Sequence, residues 1–237
     1  DDMINNRKYK ILIAEDDTNI VELLKIYLEK NGYDVICCYD GFEAYQAVEK
    51  EEVDLAIFDV MMPKMNGYEL TKKVRTISNI PIIILSAKNK DNDKIVGLEY
   101  GADDYMTKPF NPNEVVARVK ASLRRYYDLN DDEKSAYDLI NVGELSLDLK
   151  KVQLYKKGNP INLTATEYRI LSLLMKAPGK IFTKVQIFES INGYYLDSDD
   201  NTLMVHISNL RDKIEDDSKN PKYIKTVRGL GYKIEYK

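Results

Sequence analysis

Tryptophan is absent from these 237 residues, histidine occurs once and cysteine twice. One histidine, no Cys-x-x-Cys pair and two adjacent cysteines (Cys37 and Cys38) leave no basis for a His/Cys zinc site. Neighbours on a strand point to opposite faces, so the two cysteines are not expected to bond to each other. No apolar run approaches the roughly 18 residues a membrane span needs. The opening residues, Asp1-Asp2-Met3-Ile4-Asn5-Asn6-Arg7, lack the apolar centre of a secretory signal. Together these absences point to a cytoplasmic protein with reduced thiols and no membrane attachment. With 44% hydrophobic residues, a packed core is feasible and wholesale disorder is not expected.

The net charge of −4 hides an asymmetry. Residues 1–125 carry 18 Lys and Arg against 22 Asp and Glu, and residues 126–140 carry one against five. Residues 141–237 carry 16 against 12. An acidic first half joined to a mildly basic second half suggests two tasks, the second permitting nucleic-acid binding.

The first half alternates short apolar runs with helical patterns. Strands are read at Lys10–Ala14, Asp34–Cys38, Leu55–Phe58, Pro81–Leu85 and Asp104–Thr107. Helices follow them at Asn19–Lys30, Phe42–Lys50, Gly67–Arg75, Asp91–Tyr100 and Asn113–Arg125. Five β-then-α repeats with near-continuous apolar strands indicate an α/β unit, a five-stranded doubly wound parallel sheet of flavodoxin-like type, over residues 8–125. Residues 126–140 are acidic, lack an apolar face and read as a linker. Residues 141–237 form a separate α+β unit. Strands are expected at Leu145–Leu149, Val152–Tyr155 and Ile161–Leu163, then helices at Thr164–Leu174, Lys184–Ile191 and Asn201–Glu215. A terminal hairpin turns at Gly229–Gly231. Three helices followed by a two-stranded ribbon give a winged helix-turn-helix.

Chemistry-bearing residues fall at strand ends in the first half. Glu15, Asp16 and Asp17 follow the first strand, Asp59 the third, Ser86 the fourth and Lys108-Pro109 the fifth. Any one of them is ordinary as a turn or cap residue. In a parallel sheet the tips converge, and functional groups gather beyond the carboxyl ends of the strands. Clustered carboxylates raise one another's pKa unless a cation joins them, and a hard ion with oxygen ligands, Mg²⁺ above all, suits them. Such a site can accept a phosphoryl group on Asp59, with the metal and Lys108 offsetting charge on the phosphoryl oxygens. The hydroxyl of Ser86 can bond the new phosphoryl oxygen, letting Tyr105 turn inward as a switch.

In the second half the Asn201–Glu215 helix carries a polar set that includes Asn201, His206, Asn209 and Arg211 for groove contacts, and Thr226 and Arg228 on the wing reach for phosphate or the minor groove. A lone histidine can equally be a core residue, and an isolated hairpin arginine is often solvated.

Residues 8–125 resemble the receiver domain of two-component response regulators. The likeness rests on Ile13-Ala14-Glu15-Asp16-Asp17, Phe58-Asp59-Val60-Met61-Met62-Pro63, Gly67, Leu85-Ser86-Ala87 and the run Gly101 to Phe110. Residues 142–237 resemble the winged-helix effector domain of the OmpR/PhoB family, through Leu163–Leu171, Val205–Arg211 and Thr226–Tyr232. The segments Asn220–Val227 and Arg124-Arg125-Tyr126 look like the vancomycin-resistance regulators. The resemblance implies Asp59 as phosphoacceptor. It implies Mg²⁺ bound by Asp16, Asp59 and the backbone carbonyl of Met61, with Glu15 assisting through water, and a cis peptide before Pro109. It implies a sensor histidine kinase as phosphodonor, double-stranded DNA with direct repeats as target, RNA polymerase as a candidate partner, and a homodimer formed on phosphorylation. The dimer pairs implied are Lys94–Glu114, Asp104–Arg118 and Asp103–Arg125.

There are departures. Asn201 and Asn209 stand where many relatives carry Arg or Lys. Asp197, Asp199, Asp200 and Asp212 surround the reading helix, and Asn192-Gly193-Tyr194-Tyr195 lacks the Trp often found in that loop. Modest affinity per monomer would make pairing important. An aspartyl-phosphate phosphatase is the enzymatic alternative, but it needs a second acid where Met61 stands. The expectation is therefore a regulator limited to self-directed phosphotransfer and autodephosphorylation. A phosphorylation-independent regulator is disfavoured by the intact acidic set.

Overall fold

The computed structural model describes residues 8–87, 97–127, 139–192 and 200–236, without the side chains of residues 125, 192, 200 and 201. The expected helix start at Asp91, with Lys94, lies outside these residues, as do most of the linker and Asp197 and Asp199. The chain divides into two compact units, Asp1–Leu123 and Arg124–Lys237.

In the first unit, strands β1 (Lys10–Ala14), β2 (Asp34–Cys38), β3 (Leu55–Asp59), β4 (Ile82–Ser86) and β5 (Asp104–Thr107) form a parallel sheet in the order β2-β1-β3-β4-β5. β3 and β4 are buried along their whole length, which their unbroken apolar runs require. Pairing is in register, Ala14 beside Phe58 and Asp59 beside Leu85, so the strands finish at one level. Helix α1 (Thr18–Lys30) starts one residue earlier than expected because Asp17 caps it, its carboxylate accepting from the N–H groups of Asn19 and Ile20. α2 (Gly41–Lys50) is capped by Asp40, and α3 (Gly67–Val74) by a reciprocal Asn66/Glu69 capping box. α4 (Pro112–Tyr127) opens on proline, which needs no N–H there. It runs two residues beyond Arg125, into what the sequence suggests is linker. Cys37 and Cys38 are both free thiols.

The second unit begins with an antiparallel sheet, β6 (Leu139–Val142), β7 (Leu145–Asp148), β8 (Gln153–Lys156) and β9 (Asn159–Ile161), paired in that order. β6 takes up the expected linker's last two residues, whose alternation is too short to signal a strand. β9 lies two residues earlier than expected. Lys157 and Gly158 both have positive φ, 51° and 79°, a two-residue hairpin turn that places Asn159 directly opposite Lys156. Helices α5 (Ala165–Met175), α6 (Lys184–Asn192) and α7 (Asp200–Ile214) follow, with α5 opened by a reciprocal Thr164/Glu167 capping box. The hairpin β11 (Ile224–Val227) and β12 (Gly231–Ile234) gains a third strand, β10 (Phe182–Thr183), giving the order β10-β12-β11. A Cβ at Gly231 would sit 2.0 Å from the Phe182 carbonyl oxygen, so this strand contact requires glycine. Leu147, Ile170, Leu174, Leu203, Leu210 and Ile234 lie in one core beneath these elements.

Candidate functional site

The common finishing level of β1, β3, β4 and β5 gathers the expected residues of the first unit. Glu15 follows β1, Asp59 and Ser86 are the last residues of β3 and β4, and Lys108 follows β5. The Lys108 ammonium lies 2.6 Å from Glu15 Oε2 and 2.9 Å from Asp59 Oδ1. One carboxylate oxygen from each of Glu15, Asp16 and Asp59 lies within 4.8 Å of the others. Glu15 and Asp59 are 1% and 4% exposed, whereas Asp16 is open to solvent. The cleft is thus buried at its floor and reachable at its rim.

Burial pushes the Asp59 carboxyl above its ordinary value, and Asp16 adds to this, while Lys108 and the Met61 N–H pull the other way. Burial also raises Glu15, against the hydrogen bonds from Lys108 and the Asp17 N–H. For Lys108, burial favours the neutral amine, but its bonds to Asp59 and Glu15 outweigh that and its pKa is raised. One ammonium therefore faces three carboxylates. An all-oxygen donor set short of positive charge fits a hard divalent ion such as Mg²⁺.

Backbone contacts fix the Asp59 carboxylate and the strand tips beside it. The Met61 N–H donates to Asp59 Oδ2 at 3.0 Å, and the Lys108 N–H to the Ser86 carbonyl at 2.7 Å. Met61 itself is exposed. Ser86 is fully buried, and the Lys108–Pro109 peptide is cis. A Cβ at Gly67 would lie 2.3 Å from the Asp59 carbonyl oxygen, so α3 begins in direct contact with the Asp59 peptide. Tyr105 is already turned inward, 5% exposed, its ring against Gly97 together with that of Tyr68.

The acidic and basic residues expected at a dimer face have partners within the chain. Arg118 pairs with Asp104 at 2.7 Å and with Glu114 at 3.0 Å. Asp103 is buried, and its carboxylate binds Arg75 at 2.7 Å and the Ile82 N–H at 2.9 Å. A pair from Asp103 to Arg125 of a second copy would have to compete with that internal clasp. Arg75, the end cap of α3, carried no signal because nothing in the chain distance of 28 residues marks the contact. The side chains of Lys94 and Arg125 are not among those described.

In the second unit two expected groove residues are corrected. His206 is 3% exposed and sits on the core side of α7, where Ile207 and Leu210 also lie. Arg211 is spent on the wing: its Nε and Nη2 donate to the Ile224 carbonyl at 3.1 and 2.8 Å, and Nη2 to Thr226 Oγ1 at 2.9 Å. The reason is helical phase. Met204, Ser208 and Asp212, spaced by four, form the exposed stripe, and Asn209 is half-buried beside it. Met204 is 53% exposed on that stripe, a position that an apolar residue does not signal in the sequence. Thr226 and Arg228 are exposed on the wing, and Leu230 is exposed at its tip. The side chain of Asn201 is not described. A cleft of about 500 Å³ at the base of the wing is lined by Arg211, Lys219 and Lys225 among others.

Comparison with known proteins agrees with both units. Residues 11–120 match the response regulator receiver domain, and residues 158–234 match the family described as transcriptional regulatory protein, C terminal. The chain is 48% identical over 230 residues to the response regulator GtcR of Aneurinibacillus migulanus, covering 96% of this chain and 95% of that one. It is 41% identical over 227 residues to the regulatory protein VanR of Enterococcus faecium, covering 95% and 98%. The higher identity to GtcR gives the vancomycin-resistance likeness no special standing. Among solved structures, the response regulator DrrB, a Thermotoga maritima OmpR/PhoB homologue, matches with a TM-score of 0.50 at 30% identity over 97% of this chain and all of that one. Receiver and effector matches in this order, over almost the whole length, place the chain in the OmpR/PhoB family of two-component response regulators, which regulate transcription through a DNA-binding domain.

Proposed function

We propose that Asp59 is the phosphoacceptor of this regulator and that a sensor histidine kinase is its donor. The observation that carries this is the Lys108 ammonium held between Glu15 and Asp59, with Asp16 at the open rim. An Asp59 carboxylate oxygen attacks the phosphorus of a phosphohistidine. The new P–O bond forms as the P–N bond breaks, and the departing imidazole nitrogen takes up a proton. Lys108 balances charge on the phosphoryl oxygens, and the Ser86 hydroxyl donates to one of them. Asp16, Asp59 and the Met61 carbonyl, with Glu15 through water, would hold Mg²⁺, which supplies further charge neutralisation when bound. Met61 stands where an aspartyl-phosphate phosphatase needs a second acid, which weighs against turnover of a separate substrate.

Phosphorylation then favours pairing of receivers through the face carrying Asp104, Glu114 and Arg118, exchanging pairs inside one chain for pairs between two. Each pair formed between copies replaces one already made within a chain, so the exchange sets register more than strength. Two effector domains so joined read direct repeats in double-stranded DNA in the cytoplasm. Met204, Ser208 and Asn209 face the major groove, and Arg228 meets the backbone or minor groove.

The test is incubation with radiolabelled acetyl phosphate and Mg²⁺. The wild type should take up label and Asp59→Asn none. Equal labelling of both proteins removes Asp59 from the role.

A further inference from the structure

The segment between Asp59 and α3, residues 60–66, carries the Met61 carbonyl, and it is held from one side by the start of α2. The Gly41 N–H donates to the Pro63 carbonyl at 3.5 Å. The Lys64 ammonium lies 2.5 Å from Asp40 Oδ2. A Cβ at Gly41 would fall 2.3 Å from the Met65 carbonyl oxygen and 2.7 Å from Met65 Cβ. Lys64 has φ of 66°, the left-handed conformation that turns its side chain back across Asp40. Inside the segment, the Met65 N–H closes on the Pro63 carbonyl at 2.8 Å and the Gly67 N–H on the Val60 carbonyl at 3.0 Å. The start of the segment is tied to the sheet by the Val60 N–H on the Leu85 carbonyl at 3.1 Å, and the α2 contacts restrain its far half, residues 63–65.

We infer that Asp40, Gly41 and Lys64 are positioning residues that set the Met61 carbonyl for metal binding beside Asp59. The inference rests on the Mg²⁺ site proposed above. Gly41 acts through close packing: any side chain there pushes residues 63–65 away from α2. The Asp40–Lys64 pair is solvent-exposed and acts as a weaker guide. Asp40 also caps α2 through the Glu43 N–H, a bond that asparagine at position 40 can keep while losing the charge.

The experiment is calorimetric titration of the full chain with MgCl₂, alongside metal-free thermal melting. Gly41→Ala should weaken Mg²⁺ binding about tenfold, as loss of outer support for a metal ligand does. Lys64→Gln and Asp40→Asn should each weaken it by about two- to threefold. Ala44→Gly lies in the same helix but faces the core, so it should lower the melting temperature and leave Mg²⁺ affinity unchanged. If Gly41→Ala does not fold, the two charge variants decide. Unchanged affinity in the folded loop variants overturns the inference, as does an equal loss in Ala44→Gly, because stability alone would then account for it. Absence of Mg²⁺ binding by the wild type defeats the metal site itself, and the inference with it.

Discussion

Two buried ionic clusters, one in each unit, have opposite balances. In the first, Glu15 and Asp59 share the ammonium of Lys108, burial holds both carboxyl groups above their ordinary values, and Asp16 adds a third acid at the rim. In the second, the buried Glu215 carboxylate accepts from the N–H groups of Lys222, Tyr223 and Ile224 at 2.7–2.9 Å. Arg211, one turn earlier on α7, gives its donors to the Ile224 carbonyl and Thr226. Every partner named there lies within residues 222–226, at the start of the wing's strand β11 or just before it. The contrast separates a charge left short for something that arrives from a charge matched by the fold itself. The first invites a cation and a phosphoryl group. The second fixes the wing to the reading helix.

Removing charge should therefore have opposite consequences in the two places. Glu215→Ala strands two buried amide donors and a third that is part-buried, and should cost about 3–5 kcal/mol, read as a lower urea midpoint for the effector transition in circular dichroism. A loss below about 1 kcal/mol would erase the distinction between the clusters. Mg²⁺ at ten times its dissociation constant should stabilise the receiver transition by about 1.4 kcal/mol and leave the effector transition where it is. Equal shifts in both transitions would point to a general salt effect. The smallest effect belongs to Asp59→Asn without metal, which should raise the receiver's melting temperature at neutral pH. Asp59 has a raised folded-state pKa, so its ionisation costs stability above that pKa, and the cost fades as pH falls through it toward the unfolded value. The gain should accordingly vanish in acid. A gain that grows on acidification contradicts the assignment of burial as the cause.

The receiver cleft was legible because topology does most of the placing. Parallel strands finish at one level, so Glu15, Asp59, Ser86 and Lys108 converge once their strands are recognised. Asp17 shows the limit: it reads as one more acid of the cluster, yet its carboxylate caps α1. In the effector unit the three helices and the hairpin were legible, but α7 has buried residues on most of its circumference, and sequence alone leaves its phase open. That is why His206 reads as outward and lies in the core, why Arg211 reads as a groove residue and bonds the wing strand, and why the exposure of Met204 is not legible. The short strands β6 and β10 escaped because two to four residues carry too little alternation to register, and β10's partner, β12, is distant in the chain.

Arg75 has a mechanical consequence for the receiver. Its guanidinium bonds the carbonyls of Ile80 and Gly101 and the carboxylate of Asp103, tying the end of α3 to the segments that lead into β4 and β5. The acidic cleft lies at the other end of those strands. The entry ends of β4 and β5 are thus cross-braced by one guanidinium, so that losing this single side chain would release the end of α3 and both strand entries together.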